Sequence, residues 1–266
     1  MKKLKYFLIG ILTILISCTK EIEIELNSST PQIIIEGSIT DQEGPYTVKI
    51  TKSVNFSEDN NFPPVENAEV IISDNEGNME TLQEILPGIY KTQNLQGMQG
   101  RVYNLTVNTE NQTFTASSQM PNTVNLDSLS YTERISPIPG NNQNLFSIIP
   151  AFTDPANVKN NYRFIQTANN VKDKSIIIAN DDLTDGLPNQ RPLMSIDFEI
   201  QMGDTVEIEM QNIDNKMYDY FYSLSQINGS SPAGTGTPAN PTSNISGGAL
   251  GYFSAHTVQK MSVIIK

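Results

Sequence analysis

Cys18 is the only cysteine and His256 the only histidine in this 266-residue chain. Nucleophilic catalysis by a Ser-His or Cys-His pair would therefore run through His256 alone. No Gly-x-Ser-x-Gly elbow, no His-Glu-x-x-His and no phosphate-binding Gly-rich signature is present. His256 lies in Leu250-Gly-Tyr-Phe-Ser-Ala-His-Thr257, an expected strand, and its expected role is structural or at the surface. Asp181-Asp182-Leu183-Thr184-Asp185-Gly186 has some features of a calcium loop, which needs oxygen ligands at alternate positions and a Glu six residues after the Gly. Leu183 breaks the alternation and Pro192 occupies the Glu position, so the expected reading is an acidic turn on Gly186. Asp74 and Glu76, ahead of Gly77, likewise read as a turn. Any two of the 29 acidic residues could meet in space, so the sequence gives no pointer to a glycosidase pair. No enzyme activity, metal or cofactor is expected, and no binding residue is singled out.

The setting of Cys18 is more informative. Lys2, Lys3 and Lys5 precede an apolar stretch from Tyr6 to Ile16, broken by Gly10 and Thr13. A basic start, a short apolar run and a small residue before the cut make a secretory signal. The run is about half of the roughly 20 residues a transmembrane helix needs. Leu15-Ile16-Ser17-Cys18 resembles a bacterial lipobox, in which the thiol receives a diacylglyceryl group and the signal is cut before the cysteine. Residues 1–17 are thus expected to be a lipoprotein signal peptide, and Cys18 the lipid attachment that joins the protein to a membrane. Residues 18–30, with three Glu and a Ser/Thr end, read as a solvated tether. Lys20-Glu21 resembles the short charged export signal of surface lipoproteins in the Bacteroidetes.

Loss of residues 1–17 removes three lysines and leaves 14 basic against 29 acidic residues, a net charge of −15. Such a balance argues against nucleic acid and anionic lipid as partners, because both need clustered Lys and Arg. Attachment must then come from the acyl chains, of which two or more give stable anchoring. No intrachain disulfide can form, so the fold rests on its core.

The body reads as mainly β. Over 31–121, short strands alternate with turns: Gln32–Ile39, Tyr46–Ile50, Val70–Ile72, Met79–Glu84, a strand starting at Gly88-Ile89-Tyr90, Tyr103–Val107 and Phe114–Ala116. This spacing predicts an immunoglobulin-like or transthyretin-like β-sandwich. Residues 122–266 read as a second β-rich domain with strands at Leu126–Thr132, Leu145–Phe152, Tyr162–Thr167, Ser175–Ala179, Met194–Gln201, Thr205–Met210 and Val258–Ile265. The clearest alternation among them is Ile196, Phe198 and Ile200. One segment has helical period: Ile213, Met217, Tyr220, Phe221, Leu224 and Ile227 form one stripe of a helix near 213–228, with Asn212 as the expected N-cap. Tyr218 and Tyr222 lie off that stripe and are expected to be partly exposed. Residues 229–244, rich in Gly, Ser, Pro, Thr and Asn, read as a long loop.

Several short segments together resemble the Bacteroidetes lipoprotein family known as domain of unknown function 4249. They include Ile35-Glu36-Gly37, Gly44-Pro45-Tyr46-Thr47-Val48, Gly88-Ile89-Tyr90 and Gly97-Met98-Gln99-Gly100. Asp127-Ser128-Leu129, Asn161-Tyr162-Arg163-Phe164, Asp219-Tyr220 and Gly247 to Phe253 continue the series. The resemblance implies an outer-membrane lipoprotein, surface-exposed, that accompanies a TonB-dependent transporter in nutrient uptake. It carries over no catalytic residue. The alternative is a stand-alone surface module that binds a glycan or a protein.

Overall fold

The computed structural model describes residues 30–55, 59, 61–134, 144–195, 197–227 and 240–266. Cys18, Lys20, Glu21 and the signal segment lie outside the described residues. Strands in the first half are β1 (Ile33–Thr40), β2 (Thr47–Lys52), β3 (Glu69–Asp74), β4 (Met79–Thr81), β5 (Gln83–Leu86), β6 (Ile89–Lys91), β7 (Val102–Asn108) and β8 (Thr113–Gln119). The second half adds β9 (Ser128–Arg134), β10 (Leu145–Thr153), β11 (Asn161–Ala168), β12 (Val171–Lys172), β13 (Ile177–Asn180), β14 (Pro188–Gln190) and β15 (Thr205–Ile213). Helix α1 (Asn215–Ile227) and the long β16 (Leu250–Ile264) complete the chain. The protein is mainly β with one helix among the described residues, as its residue pattern predicts.

The architecture is one large sheet faced by two smaller ones. The large sheet runs β12-β11-β15-β16-β1-β2-β6-β5, with β13 also paired to β11. The small sheets are β4-β3-β7-β8 and β14-β10-β9. Alternation explains the layers. Ile35, Ile39, Val48 and Ile50 face Val70, Ile72, Leu105 and Val107 in a first core. Phe164, Ile208 and Met210 meet Phe146, Ile148 and Phe152 in a second. Each such fully buried side chain contributes about 1.5–3 kcal/mol relative to exposure.

β16 joins the two halves. Its first part lies parallel to β1, with Leu250 opposite Ile34 and His256 opposite Thr40. Its later part is antiparallel to β15, from Thr257 opposite Asn212 to Ile264 opposite Thr205. Ile245, Ala249, Phe253 and Ala255 therefore complete the first core, although the sequence division at residue 121 places them in the second domain. The parallel entry requires a close approach. Gly251 has φ +92°, and a Cβ there would stand 2.1 Å from the Ile35 carbonyl oxygen, so only glycine fits.

Three expectations change in the structure. The strand expected over Met79–Glu84 is two strands. At the buried Leu82 the chain leaves the sheet of β3 and enters the large sheet beside β6. The strand expected over Met194–Gln201 is not formed among its described residues. Ile200 is buried, but its segment meets the neighbouring strands only locally: the Ile200 carbonyl accepts from Phe146 N (2.9 Å) and the Phe198 carbonyl from Arg134 Nη2 (2.9 Å). Alternation there records one buried side without a ladder. The helix is capped by Asp214 instead of Asn212. Asp214 Oδ1 accepts from Met217 N (2.8 Å), while Oδ2 accepts from Ser118 Oγ (2.7 Å) and Gln119 N (2.9 Å). Asn212 still belongs to β15, and its amide donates to the Asn122 carbonyl (3.0 Å).

The turn expected at Asp74–Asn78 is present between β3 and β4, with Gly77 at φ +90°. Asp74 Oδ1 accepts from Glu76 N (3.0 Å) and Asn78 N (2.9 Å), and Oδ2 from Asn78 Nδ2 (2.7 Å) and Arg101 (2.5 Å). Burial opposes ionisation of this carboxyl, but the bonds from Asn78, Arg101 and Glu76 outweigh it and hold its pKa below the usual range.

Candidate functional site

The outward face of the large sheet carries a polar cavity where the two halves join. In β11, Tyr162, Phe164 and Gln166 point inward, which turns Arg163 and Ile165 outward. In β15, Val206, Ile208 and Met210 point inward and Glu209 outward. In β16, Phe253 and Ala255 join the core, which leaves Tyr252, Ser254 and His256 on the other face. Register brings these groups together. Arg163 lies opposite Gln211, Gln211 opposite Val258, Ser254 opposite Ser38 and His256 opposite Thr40. They enclose a cavity of about 390 Å³ that also touches Phe221 of α1. Ser254 and His256 are only 2% and 6% exposed.

The helix shapes this site because its apolar stripe lies on the same face. Met217, Tyr220 and Phe221 are buried, while Ile227 at the end of the stripe is exposed. Tyr252 packs against Tyr220 (4.9 Å between ring centroids) and Phe221 (5.5 Å). Phe221 also covers the guanidinium of Arg163, whose Cζ lies 3.9 Å from the ring centroid.

The electrostatics of the cavity follow from burial. His256 Nδ1 and Ser254 Oγ are 2.9 Å apart. Burial, and then the positive charge of Arg163, push the imidazole pKa down to about 4, against the opposing pull of Glu209 and Asp41. The ring is neutral at pH 7. Burial also lowers the pKa of Arg163, opposed by Tyr252, Glu209 and Tyr220. Glu209 is engaged elsewhere: it accepts from Lys260 Nζ (3.1 Å) and from Gln211 Nε2 (2.5 Å). Burial raises its pKa, but those two partners prevail and lower it. Burial raises the phenol of Tyr220 to about 12 and also moves that of Tyr252 upward. An imidazole with a pKa near 4 accepts protons poorly at neutral pH. The groups here are suited to recognition by hydrogen bonds and charge.

The acidic turn brings three carboxylates together. Ligand oxygens of Asp154, Asp181 and Asp185 lie within 4.8 Å of one another. Asp154 and Asp181 are 1% and 4% exposed. Asp154 accepts from the Tyr162 hydroxyl and from Gly186 N (3.2 Å). Asp181 accepts from Asn160 N (2.6 Å) and Asp185 from Asn157 N (2.8 Å). An all-oxygen set suits a hard cation such as calcium, but it supplies three of the six to eight ligands required. The hydrogen bonds themselves tie residues 154–160 to 181–186, in line with the turn expected from Gly186.

A second, apolar groove of about 370 Å³ lies between α1 and the neighbouring strands, lined by Phe152, Phe164, Ile177, Leu193, Tyr218 and Tyr222 among others. Tyr218 and Tyr222 stack at 6.1 Å with an interplanar angle of 16°. Tyr222 is exposed and Tyr218 half-buried. Of the long loop expected at 229–244, residues 229–239 lie outside the described residues. Its end is tied to the body. Asn244 Nδ2 donates to the Phe253 carbonyl (2.7 Å), Phe253 N donates to Asn244 Oδ1 (3.0 Å), and Thr242 N donates to Ser223 Oγ (2.9 Å).

His256 thus sits in the strand expected for it, buried and facing a cavity. Arg163 has no catalytic or binding role in the sequence reading. A signal for it exists: an arginine between Tyr162 and Phe164 in a strand must point to the face opposite the core. Gln211 and Glu209 carry the same parity signal from β15, but their meeting with His256 depends on the antiparallel β15–β16 ladder and with Ser38 on the parallel β1–β16 pairing.

No curated protein matches the chain. A family model described as domain of unknown function, DUF4249, matches residues 19–262. The chain belongs to the DUF4249 family.

Proposed function

We propose that this protein is a non-enzymatic lipoprotein, anchored in the outer membrane by lipid on Cys18 and exposed at the cell surface, that serves as an accessory of a TonB-dependent transporter. The observation that carries this reading is the leader: three lysines, a short apolar run and Leu15-Ile16-Ser17-Cys18 ahead of a β-rich body. Support comes from the body itself. The cavity on its outer sheet face holds an imidazole of depressed pKa and a half-buried arginine, groups suited to recognition. Among the described residues no helix is long and apolar enough to cross a membrane.

The test is purification of the intact lipoprotein from detergent-solubilised membranes. An accessory brings down a β-barrel transporter in a fixed ratio. Recovery of the lipoprotein alone, under conditions that preserve other outer-membrane complexes, refutes the accessory role. The stacked pair of Tyr218 and Tyr222 beside the apolar groove favours a second reading, a stand-alone surface module for a glycan or protein. Aromatic faces of this kind serve carbohydrate rings and apolar side chains alike. That module would be recovered without a transporter and would bind its ligand unaided.

A further inference from the structure

We infer that the cavity on the outer sheet face is a binding site for the carboxylate of a small molecule, with Arg163 as its anchor. The inference rests on the cavity and is independent of the lipid anchor and of any transporter. Arg163 is the central observation. A guanidinium presents five N–H donors in a fixed fork. Among the described residues the only side-chain hydrogen bond of Arg163 is a long one, from Nη1 to Gln211 Oε1 (3.4 Å). No carboxylate lies within ion-pair distance of it among those residues, whereas Arg101 and Lys159 each have one and Lys260 has two. Arg163 is half-buried, and a charge drawn partly out of water is costly to leave without a partner. Phe221 stacks on the guanidinium face and leaves the edge, where the N–H groups point, for an acceptor.

The surroundings select the class of ligand. Ser254, Tyr252 and Ser38 line the same cavity and offer hydroxyl donors. His256 is neutral at pH 7 and adds no charge. Lys172, from β12, also lines the cavity. Glu209 lines it as well, with its carboxylate already held by Lys260 and Gln211. A singly charged carboxylate matches the fork of Arg163 and can be bound bidentately. A phosphate brings up to two negative charges beside Glu209, and Glu36 on β1 adds to the same field, as its influence on Tyr252 shows. Arg163 and Lys172 against Glu209 leave the lining with a single net positive charge, which a singly charged carboxylate neutralises and a doubly charged phosphate exceeds.

The lone histidine makes the test specific. Full-length protein, purified in detergent and labelled with ¹³C-histidine, gives one imidazole signal. Acetate, benzoate and inorganic phosphate are titrated separately at pH 7 and constant ionic strength, with chloride as the reference ion. Saturable displacement of the signal by acetate or benzoate is the expected result. The imidazole pKa should rise on saturation, because the bound anion offsets the field of Arg163. Arg163→Gln should weaken carboxylate binding about tenfold or more, while Arg163→Lys, which keeps the charge but loses the fork, should fall between. Lys159→Gln, at an exposed ion pair elsewhere, should bind as wild type. The wild-type titration alone suffices if Arg163→Gln does not fold. Absence of saturable displacement by either carboxylate overturns the inference. So does saturable binding of phosphate alone, or equal affinity in a folded Arg163→Gln variant.

Discussion

Replacing His256 should change how stability depends on pH between 7 and 4. The folded-state imidazole has a pKa of about 4, against an ordinary value of 6.5. The unfolded chain therefore binds this proton more tightly than the folded one. The contribution of the neutral ring to stability is complete above pH 6.5, declines as the pH falls through 6.5 towards 4, and levels off below 4. At 1.36 kcal/mol per pKa unit, the full difference is about 3 kcal/mol, of which about 2 kcal/mol is lost between pH 7 and pH 5. The groups that set this value are the buried wall of the cavity, Arg163 on β11, Glu209 on β15 and Asp41 after β1. Lys260 is held at Glu209 and acts with it. Asp74, Glu84 and Glu209 have lowered pKa values, so their contributions are lost only as the pH falls below the ordinary carboxylate range. The window from pH 7 to 5 therefore isolates the imidazole. Urea denaturation at pH 7, 6 and 5 gives the unfolding free energy of wild type and His256→Gln. The wild type should lose about 2 kcal/mol more than the variant across that window. Parallel slopes for the two proteins would show that the ring is solvated or already charged, and the description of the cavity as a buried neutral site would fail.

Two further substitutions probe the frame around the site. Phe221→Ala removes the ring that covers Arg163 and packs on Tyr252, and should destabilise the protein by about 3–5 kcal/mol; an unchanged thermal midpoint would mean that the helix stripe is not on the sheet. Gly251→Ala forces a Cβ against the Ile35 carbonyl at a positive φ, so it should cost at least about 2 kcal/mol or prevent folding; wild-type stability would contradict the parallel entry of β16 beside β1.

Much of this architecture is legible one element at a time. Tyr103, Leu105 and Val107 alternate because one side of β7 is core, and period 2 records that directly. Met217, Tyr220 and Phe221 identify the helix by the same reasoning at period 3.6. Caps are less legible. Asn212 and Asp214 are equally good N-cap types, and the choice falls to Asp214 because Ser118 and Gln119 hold its second oxygen from another strand. Phe198 and Ile200 show the limit of periodicity: alternation reports an inward side and is silent on whether a neighbouring strand is there to pair. The candidate site is hidden for a related reason. Its members come from β1, β11, β15 and β16: Arg163, Gln211 and β16 meet through antiparallel ladders, and Ser38 and Thr40 join them through a parallel pairing of residues more than 200 positions apart in the chain. Parity places Arg163 and Glu209 on the face away from the core, but nothing local says that His256 shares it.

The proposals about where this protein works depend on the thiol of Cys18. Cells expressing wild type or Cys18→Ala are fed a clickable fatty-acid analogue, and the purified proteins and membrane fractions are compared. The expected result is label on the wild type and none on Cys18→Ala, with the variant leaving the membrane fraction. Cys18→Ala that stays with the membrane as tightly as wild type, or a wild type that takes up no label, contradicts the lipid anchor and with it the placement of the protein at the outer membrane.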